Sequence, residues 1–318
     1  INDVLGKKNT TPIKSSTFNF KGNILNDPQD IVDKINEFFI DVGSNVIIDQ
    51  QTNENDFASY MPNNLEHSLF FKPVTRTELL DIGKILQGGK SSGFDDVIPD
   101  VVKYTLPYIV DPFLHICNLS LTNGHVPSKL KISKVIPVYK KGDPQDFTNY
   151  RPISILPCFS KIFEKIVYNR LYEFLEKNNV LFQGQYGFRS KHSTDMALIE
   201  IHDRIINYLN DNKYVIGVFM DLSKAFDSLS HSILLNKLQY YGVRGTPLNW
   251  FKSYLLNRRQ YTFFNDCTSS LKNVNTGVPQ GSILGPLLFL LYINYITRSC
   301  RGCDFILYAD DTTLLTSH

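Results

Sequence analysis

The stretch Asp304-Phe305-Ile306-Leu307-Tyr308-Ala309-Asp310-Asp311-Thr312-Thr313-Leu314-Leu315-Thr316 sets two apolar runs around a pair of carboxylates. Its pattern predicts the arms of a tight hairpin with Asp310 and Asp311 at the tip. Upstream, Tyr214-Val215-Ile216-Gly217-Val218-Phe219-Met220 is an unbroken apolar run that predicts a buried central strand, and it delivers Asp221 at its end. If hairpin and strand are neighbours, three carboxylates converge, an arrangement that only metal cations make tolerable. Hard oxygens around a wet site favour Mg²⁺. Two such ions ~3.5–4 Å apart stabilise the attacking and leaving oxygens of an in-line phosphoryl displacement. Asp-Asp at a hairpin is also an ordinary turn, so the reading needs support from the rest of the chain.

Outward from these strands the pattern is helical first and antiparallel later, which predicts an α+β fold. Residues 1–26 are polar and read as a linker or tail. Asp27-Pro28 then opens an amphipathic helix carrying Ile31, Ile35, Phe38, Phe39 and Val42. Asn/Gln-rich residues 49–64 interrupt it. Thr75-Arg76-Thr77-Glu78 is a capping box for a helix through Ile85. Gly88 to Gly93 fails the P-loop spacing and follows a helix instead of a strand, so it reads as a loop. Further helices are predicted from Ser160 to about Lys177, from Thr194, over Ile233–Tyr241, and from Thr246-Pro247 to about Leu256. Arg259 to Phe264 and Leu271 to Thr276 read as paired strands.

The 318 residues are enough for two lobes, and 42% hydrophobic content against 20% charged excludes global disorder. The net charge of +2 names no partner. Its distribution is uneven, however: residues 1–60 carry −4, while residues 129–170 carry +6, as an anionic ligand would require. Five scattered cysteines argue against a disulfide framework and for a reducing compartment. Cys300 and Cys303 form a lone C-x-x-C without the second pair a zinc site needs. The longest apolar stretch, Ile283 to Ile293, contains Gly285 and Pro286 and falls short of the ~20 residues of a membrane span.

Three segments together resemble a known family. Tyr308-Ala309-Asp310-Asp311 looks like the third catalytic motif of reverse transcriptases, and Phe219-Met220-Asp221-Leu222-Ser223-Lys224-Ala225-Phe226-Asp227 looks like their first. Gly277-Val278-Pro279-Gln280-Gly281-Ser282-Ile283-Leu284-Gly285-Pro286 is similar to the motif between them. Ile136 to Asp143, Asn149-Tyr150-Arg151-Pro152-Ile153-Ser154 and Gln185-Tyr186-Gly187-Phe188-Arg189 resemble the fingers of LINE-type (non-LTR) retrotransposon enzymes. The resemblance covers roughly residues 70–318.

It implies an RNA-directed DNA polymerase with fingers over 71–212 and a palm over 213–318, the palm an antiparallel sheet flanked by helices. Residues 1–70 become an N-terminal extension. Asp221, Asp310 and Asp311 are then the catalytic residues and hold two Mg²⁺, with the Leu222 carbonyl as a further ligand. A primer 3′-hydroxyl attacks the α-phosphate of a dNTP. Arg151 and one of Lys140 or Lys141 neutralise the outer phosphates, a task suited to the planar Arg fork. Gln280 and Gly281 line the nucleotide pocket, and Phe226 lies under the sugar and blocks a ribose 2′-hydroxyl. Asp227 is expected to form structural hydrogen bonds. Lys129, Lys131, Lys134 and Arg189 face the RNA template and DNA primer, Tyr308 packs under the hairpin near the primer end, and the histidines His192, His231 and His318 sit at the surface or at helix caps.

The same resemblance implies work in the nucleus. Group II intron maturases share the chemistry but match the quoted text less well. A relic that binds nucleic acid without polymerising is the alternative of a different class; retention of all three aspartates speaks against it. With Ile at position 1 and only seven residues after Asp311, the chain reads as a fragment. The thumb is expected to be missing, and isolated synthesis to be weak.

Overall fold

The computed structural model describes residues 17–20, 22–48, 56–61 and 64–318. Its first helices are α1 (Pro28–Ile48), α2 (Arg76–Ile85), α3 (Pro99–Asn123) and α4 (Cys158–Lys177). They are followed by α5 (Thr194–Asn210), α6 (His231–Tyr240), α7 (Thr246–Leu255) and α8 (Leu284–Ile293). The early strands are β1 (Phe18–Phe20), β2 (Asn23–Leu25), β3 (Ile132–Tyr139), β4 (Tyr150–Ile155) and β5 (Val215–Asp221). Later come β6 (Arg258–Phe264), β7 (Cys267–Thr268), β8 (Lys272–Val274), β9 (Asp304–Tyr308) and β10 (Asp311–Ser317). The mixture is α+β, as the pattern predicts.

One sheet runs β4-β3-β6-β7, with β8 on β6. Its β3–β6 pairing is parallel and crosses the expected lobe boundary at residue 212. A second sheet runs β5-β10-β9 and is antiparallel throughout. The main core is helical, built on Trp250, Phe251, Tyr254 and α8. Helix α8 is buried on nearly every side, consistent with its apolar sequence all round.

Three expectations need correction. The polar segment ahead of α1 is more than a linker: over its described residues it folds into the β1–β2 hairpin, and Phe18 packs on Phe147 and Tyr150. Residues 1–16 and 21 lie outside the described residues. Helix α1 is bound to the large sheet, because buried Asn36 donates to Ser270 O and accepts from Thr262 and Gln260. Glu37 also pairs with Lys272 at 2.6 Å.

The second correction concerns β5. Among the described residues it is an edge strand, paired only with β10, and Phe219 is 71% exposed. An apolar run encodes strand character, yet its place in a sheet depends on what else packs there. The third concerns the capping box, which is half formed. Thr75 accepts from the Glu78 amide, but the Glu78 carboxylate turns away to a two-pronged pair with Arg170 at 2.7 and 3.0 Å.

Candidate active site

Strand register brings the carboxylates together. Asp311, the first residue of β10, is paired with Asp221, the last of β5. Directly opposed residues of an antiparallel pair have Cα atoms roughly 4.5–5.5 Å apart and share a face. Asp311 is also paired with Tyr308 across the hairpin, which leaves Ala309 and Asp310 as the two turn residues. Ala309 sits at φ 58°, the positive value a tight hairpin turn needs at its first central residue. Asp221 and Asp311 are exposed and Asp310 is half-buried, so the group faces open solvent.

The electrostatics match that placement. Burial, then the negative charges of Asp310 and Asp221, push the Asp311 carboxyl above its ordinary value. Among the described residues no Lys or Arg forms an ion pair with any of the three. Nor does any group of three or more His, Cys, Asp or Glu stand close enough to hold an ion alone. Mg²⁺ seldom uses an all-protein cage, since it keeps waters and takes substrate phosphate oxygens beside one or two carboxylates. An uncompensated, outward-facing carboxylate set therefore fits such an ion as a half-site that substrate completes.

The Gly277–Gly285 loop is stitched to the segment after β5. Gly277 N donates to Leu229 O and Val278 N to Phe226 O, both at 2.8 Å. Gln280 Nε2 donates to both oxygens of Asp227, at 3.0 and 2.8 Å, so Asp227 has the structural role expected of it. Burial nevertheless pushes the Asp227 carboxyl up to about 6, against the pull of Gln280 and Lys224. Gly281 approaches protein backbone closely: a Cβ there would meet Ser154 O at 2.4 Å. Ser154 N in turn donates to Gln280 O at 2.8 Å, tying β4 to the loop. Ser154, Asp227, Arg258 and Gln280 line a cavity of about 40 Å³, room for a water or two and far too small for a nucleotide.

Sequence reasoning missed Glu164. Buried on α4, its carboxylate accepts from Ile283 N at 2.5 Å, Leu284 N at 3.3 Å and the Tyr254 hydroxyl at 3.0 Å. A carboxylate at the start of α8 offsets that helix's unpaired amides and anchors the loop just before it. Burial raises its carboxyl despite these bonds. Nothing in the local sequence marks a helix-face glutamate as buried.

The remaining candidates divide. Lys129, Lys140, Lys141 and Arg151 are exposed, the last three at the loop end of the β3–β4 hairpin. Lys134 lies over the Phe263 ring at 4.6 Å. Lys131 does not face nucleic acid: it is buried, and its ammonium donates to Ser253 O and Leu256 O, closing the end of α7. Arg189 is likewise internal, donating to Phe182 O and Glu176. In both cases it is the buried cation that is satisfied, by backbone or carboxylate acceptors.

Phe226 is half-buried, stacked on Phe289 at 4.9 Å and edge-on to Phe188. Leu222 is half-buried against the main core, and Tyr308 against a small cluster of Ala197, Ile306 and Leu315. His231 is buried, and its Nε2 lies 2.8 Å from Gly277 O, contrary to the surface or capping role expected.

The family model described as "Reverse transcriptase (RNA-dependent DNA polymerase)" matches residues 138–318. The chain is 33% identical over 268 residues to "Probable RNA-directed DNA polymerase from transposon BS" of Drosophila melanogaster, covering 80% of this chain and 29% of that protein. It is 30% identical to "RNA-directed DNA polymerase from mobile element jockey" of the same species, covering 81% and 29%. To "Putative 115 kDa protein in type-1 retrotransposable element R1DM" it is 28% identical, covering 72% and 22%. The chain thus spans less than a third of the length of these relatives. No helix among the described residues is long and apolar enough to cross a membrane.

Proposed function

The chain belongs to the reverse transcriptase family, in its non-LTR retrotransposon branch, and from that premise we propose that it extends a DNA primer on an RNA template. Fingers over 71–212 and a palm over 213–318 are the division of labour this reading uses, with α1 and the β1–β2 hairpin as an N-terminal extension packed on the sheet that crosses that boundary. The observation that carries the reading is the register pairing of Asp221 with Asp311 beside Asp310 at the turn.

Asp221, Asp310 and Asp311 would hold two Mg²⁺, with the Leu222 carbonyl adjacent. When bound, the ions supply Lewis-acid stabilisation of the attacking and leaving oxygens. Around them the protein's own groups position the reactants. Arg151, with Lys140 or Lys141, offers fixed positive charge to the outer phosphates of a dNTP from the rim of the β3–β4 hairpin. Asp227 and Ser154 hold Gln280, so the Gln280–Gly281 backbone presents a rigid wall to the nucleotide. Phe226, braced by Phe289, sets a steric limit beside the sugar. Lys129 and Lys134 add sequence-independent, salt-dependent affinity for the template–primer.

Purified protein, a DNA primer annealed to RNA, one dNTP and Mg²⁺ test this reading. Addition of one nucleotide to the primer is expected. Tight, salt-dependent binding of the duplex with no addition would instead support the relic that binds without polymerising.

A further inference from the structure

The Gln185-Tyr186-Gly187-Phe188-Arg189 segment lies against the catalytic hairpin, and its glutamine meets the turn itself. Gln185 is 3% exposed. Its Oε1 accepts from Ala309 N at 3.0 Å and from Gly187 N at 2.8 Å. Its Nε2 donates to Ala309 O at 3.3 Å. The amide cannot be reversed, because its NH₂ would then face two N–H donors. One side chain therefore holds the peptide groups on both sides of Ala309.

The backbone around Gln185 is itself fixed. Tyr186 N donates to Leu307 O and Leu307 N to Gly184 O, both at 2.8 Å, so residues 184–186 run as a short parallel ladder beside β9. Gly187 passes so close that a Cβ would lie 2.1 Å from Ala309 N. Further back, Asn294 at the end of α8 bonds Val180 O and Phe182 N, linking this segment to the main core.

Ala309 needs such a clamp. A non-glycine residue at φ 58° is in a sparsely populated region and persists only where its surroundings over-determine it. Asp310 and Asp311 follow immediately, so the dihedrals of Ala309 set where both carboxylates point. We propose that Gln185 is a positioning residue for the catalytic hairpin: its amide locks the strained Ala309 turn and so aims Asp310 and Asp311. This rests on the reading of those carboxylates as the metal-holding group.

The test uses the whole chain with Gln185→Met, which keeps length and apolar bulk but removes the amide, alone and combined with Ala309→Gly. Mn²⁺ binding is followed by the loss of the free-ion electron paramagnetic resonance signal, at a temperature where every variant is folded. Hydrogen exchange of the 306–312 segment is measured in parallel. Gln185→Met should weaken Mn²⁺ binding about tenfold and speed exchange at the turn about tenfold. With glycine at 309 the turn is unstrained, so the same change should cost less than about threefold. A purely structural glutamine would lower the melting temperature equally in both backgrounds and leave Mn²⁺ affinity within twofold; that result overturns the proposal. Should Gln185→Met not fold, Gln185→Asn, one methylene short, replaces it with the same expectations. If the unaltered protein binds no Mn²⁺, the metal reading fails, and unchanged exchange at the turn would separately refute the clamp.

Discussion

Asp221 and Asp311 occupy directly opposed positions on neighbouring strands, like charges where a ladder ordinarily avoids them. The Asp311 carboxyl is pushed up by burial and by Asp310 and Asp221. An acid whose folded-state value is raised contributes its stability below the unfolded value and loses it as pH rises through the folded value.

Asp311→Asn should therefore raise the melting temperature slightly near neutral pH in the presence of a chelator, by the relief of a repulsion that solvent screening at this exposed site holds to about a few tenths of a kcal/mol. The gain should vanish in acid, where Asp311 is protonated. Added Mg²⁺ should raise the melting point of the unaltered protein more than that of the variant, since only ligand bound to the folded state stabilises it. Calorimetry with and without Mg²⁺ measures both effects.

Asp227 predicts a second pH dependence away from the β9–β10 hairpin. With its carboxyl raised to about 6, chiefly by burial, the contribution of Asp227 to stability should be fully present below the ordinary carboxylate value and fall as pH rises through about 6. In Asp227→Asn that fall should be missing. Melting curves of the two proteins should converge in acid and separate by neutral pH; parallel curves would show that Asp227 does not titrate in this way.

Lys131 separates buried from nucleic-acid-facing charge. Lys131→Met removes two bonds to backbone carbonyls and should cost about 1–3 kcal/mol of stability. The salt slope of template–primer binding should not change. Lys129→Ala should do the reverse, reducing that slope by about one and leaving the melting point alone. A binding titration over a range of salt concentrations reads both.

For Phe226→Val the expected outcome is a raised ratio of ribonucleotide to deoxynucleotide addition, together with a stability loss of roughly 1–2 kcal/mol from the broken stack on Phe289. Side-by-side addition assays with thermal melting settle it. An unchanged ratio with a lowered melting point would make the ring a core residue alone.

How far the sequence carried this reading differs element by element. The β9–β10 hairpin was legible because apolar arms and a short turn are local signals, and so were α4 to α7 from their stripes and caps. Helix α3 was not read, because Pro107 and Pro112 lie inside it and normally punctuate a helix. The exposure of β5 and the burial of Lys131, Glu164, Gln185 and Arg189 escaped because each is set by tertiary packing. Lys131, Glu164 and Gln185 depend on partners far along the chain, as Lys131 depends on Ser253 and Leu256, and no window of sequence contains both. The partners of Arg189, Phe182 and Glu176, are near in sequence but are brought to it only by the turn that follows α4. The three aspartates were legible as a set, but their register was not, since pairing across strands is fixed only by the fold.

The central claim is that Asp221, Asp310 and Asp311 act as one Mg²⁺-dependent group. Its most direct test is the rate of single-nucleotide addition to an RNA-templated primer as Mg²⁺ is titrated, for the unaltered protein and for Asp221→Asn and Asp311→Asn. The account predicts Mg²⁺-dependent addition by the former and a loss of at least about 100-fold in both variants, with duplex binding and folding retained. Addition by either variant within tenfold of the unaltered rate, or addition indifferent to Mg²⁺, would contradict it.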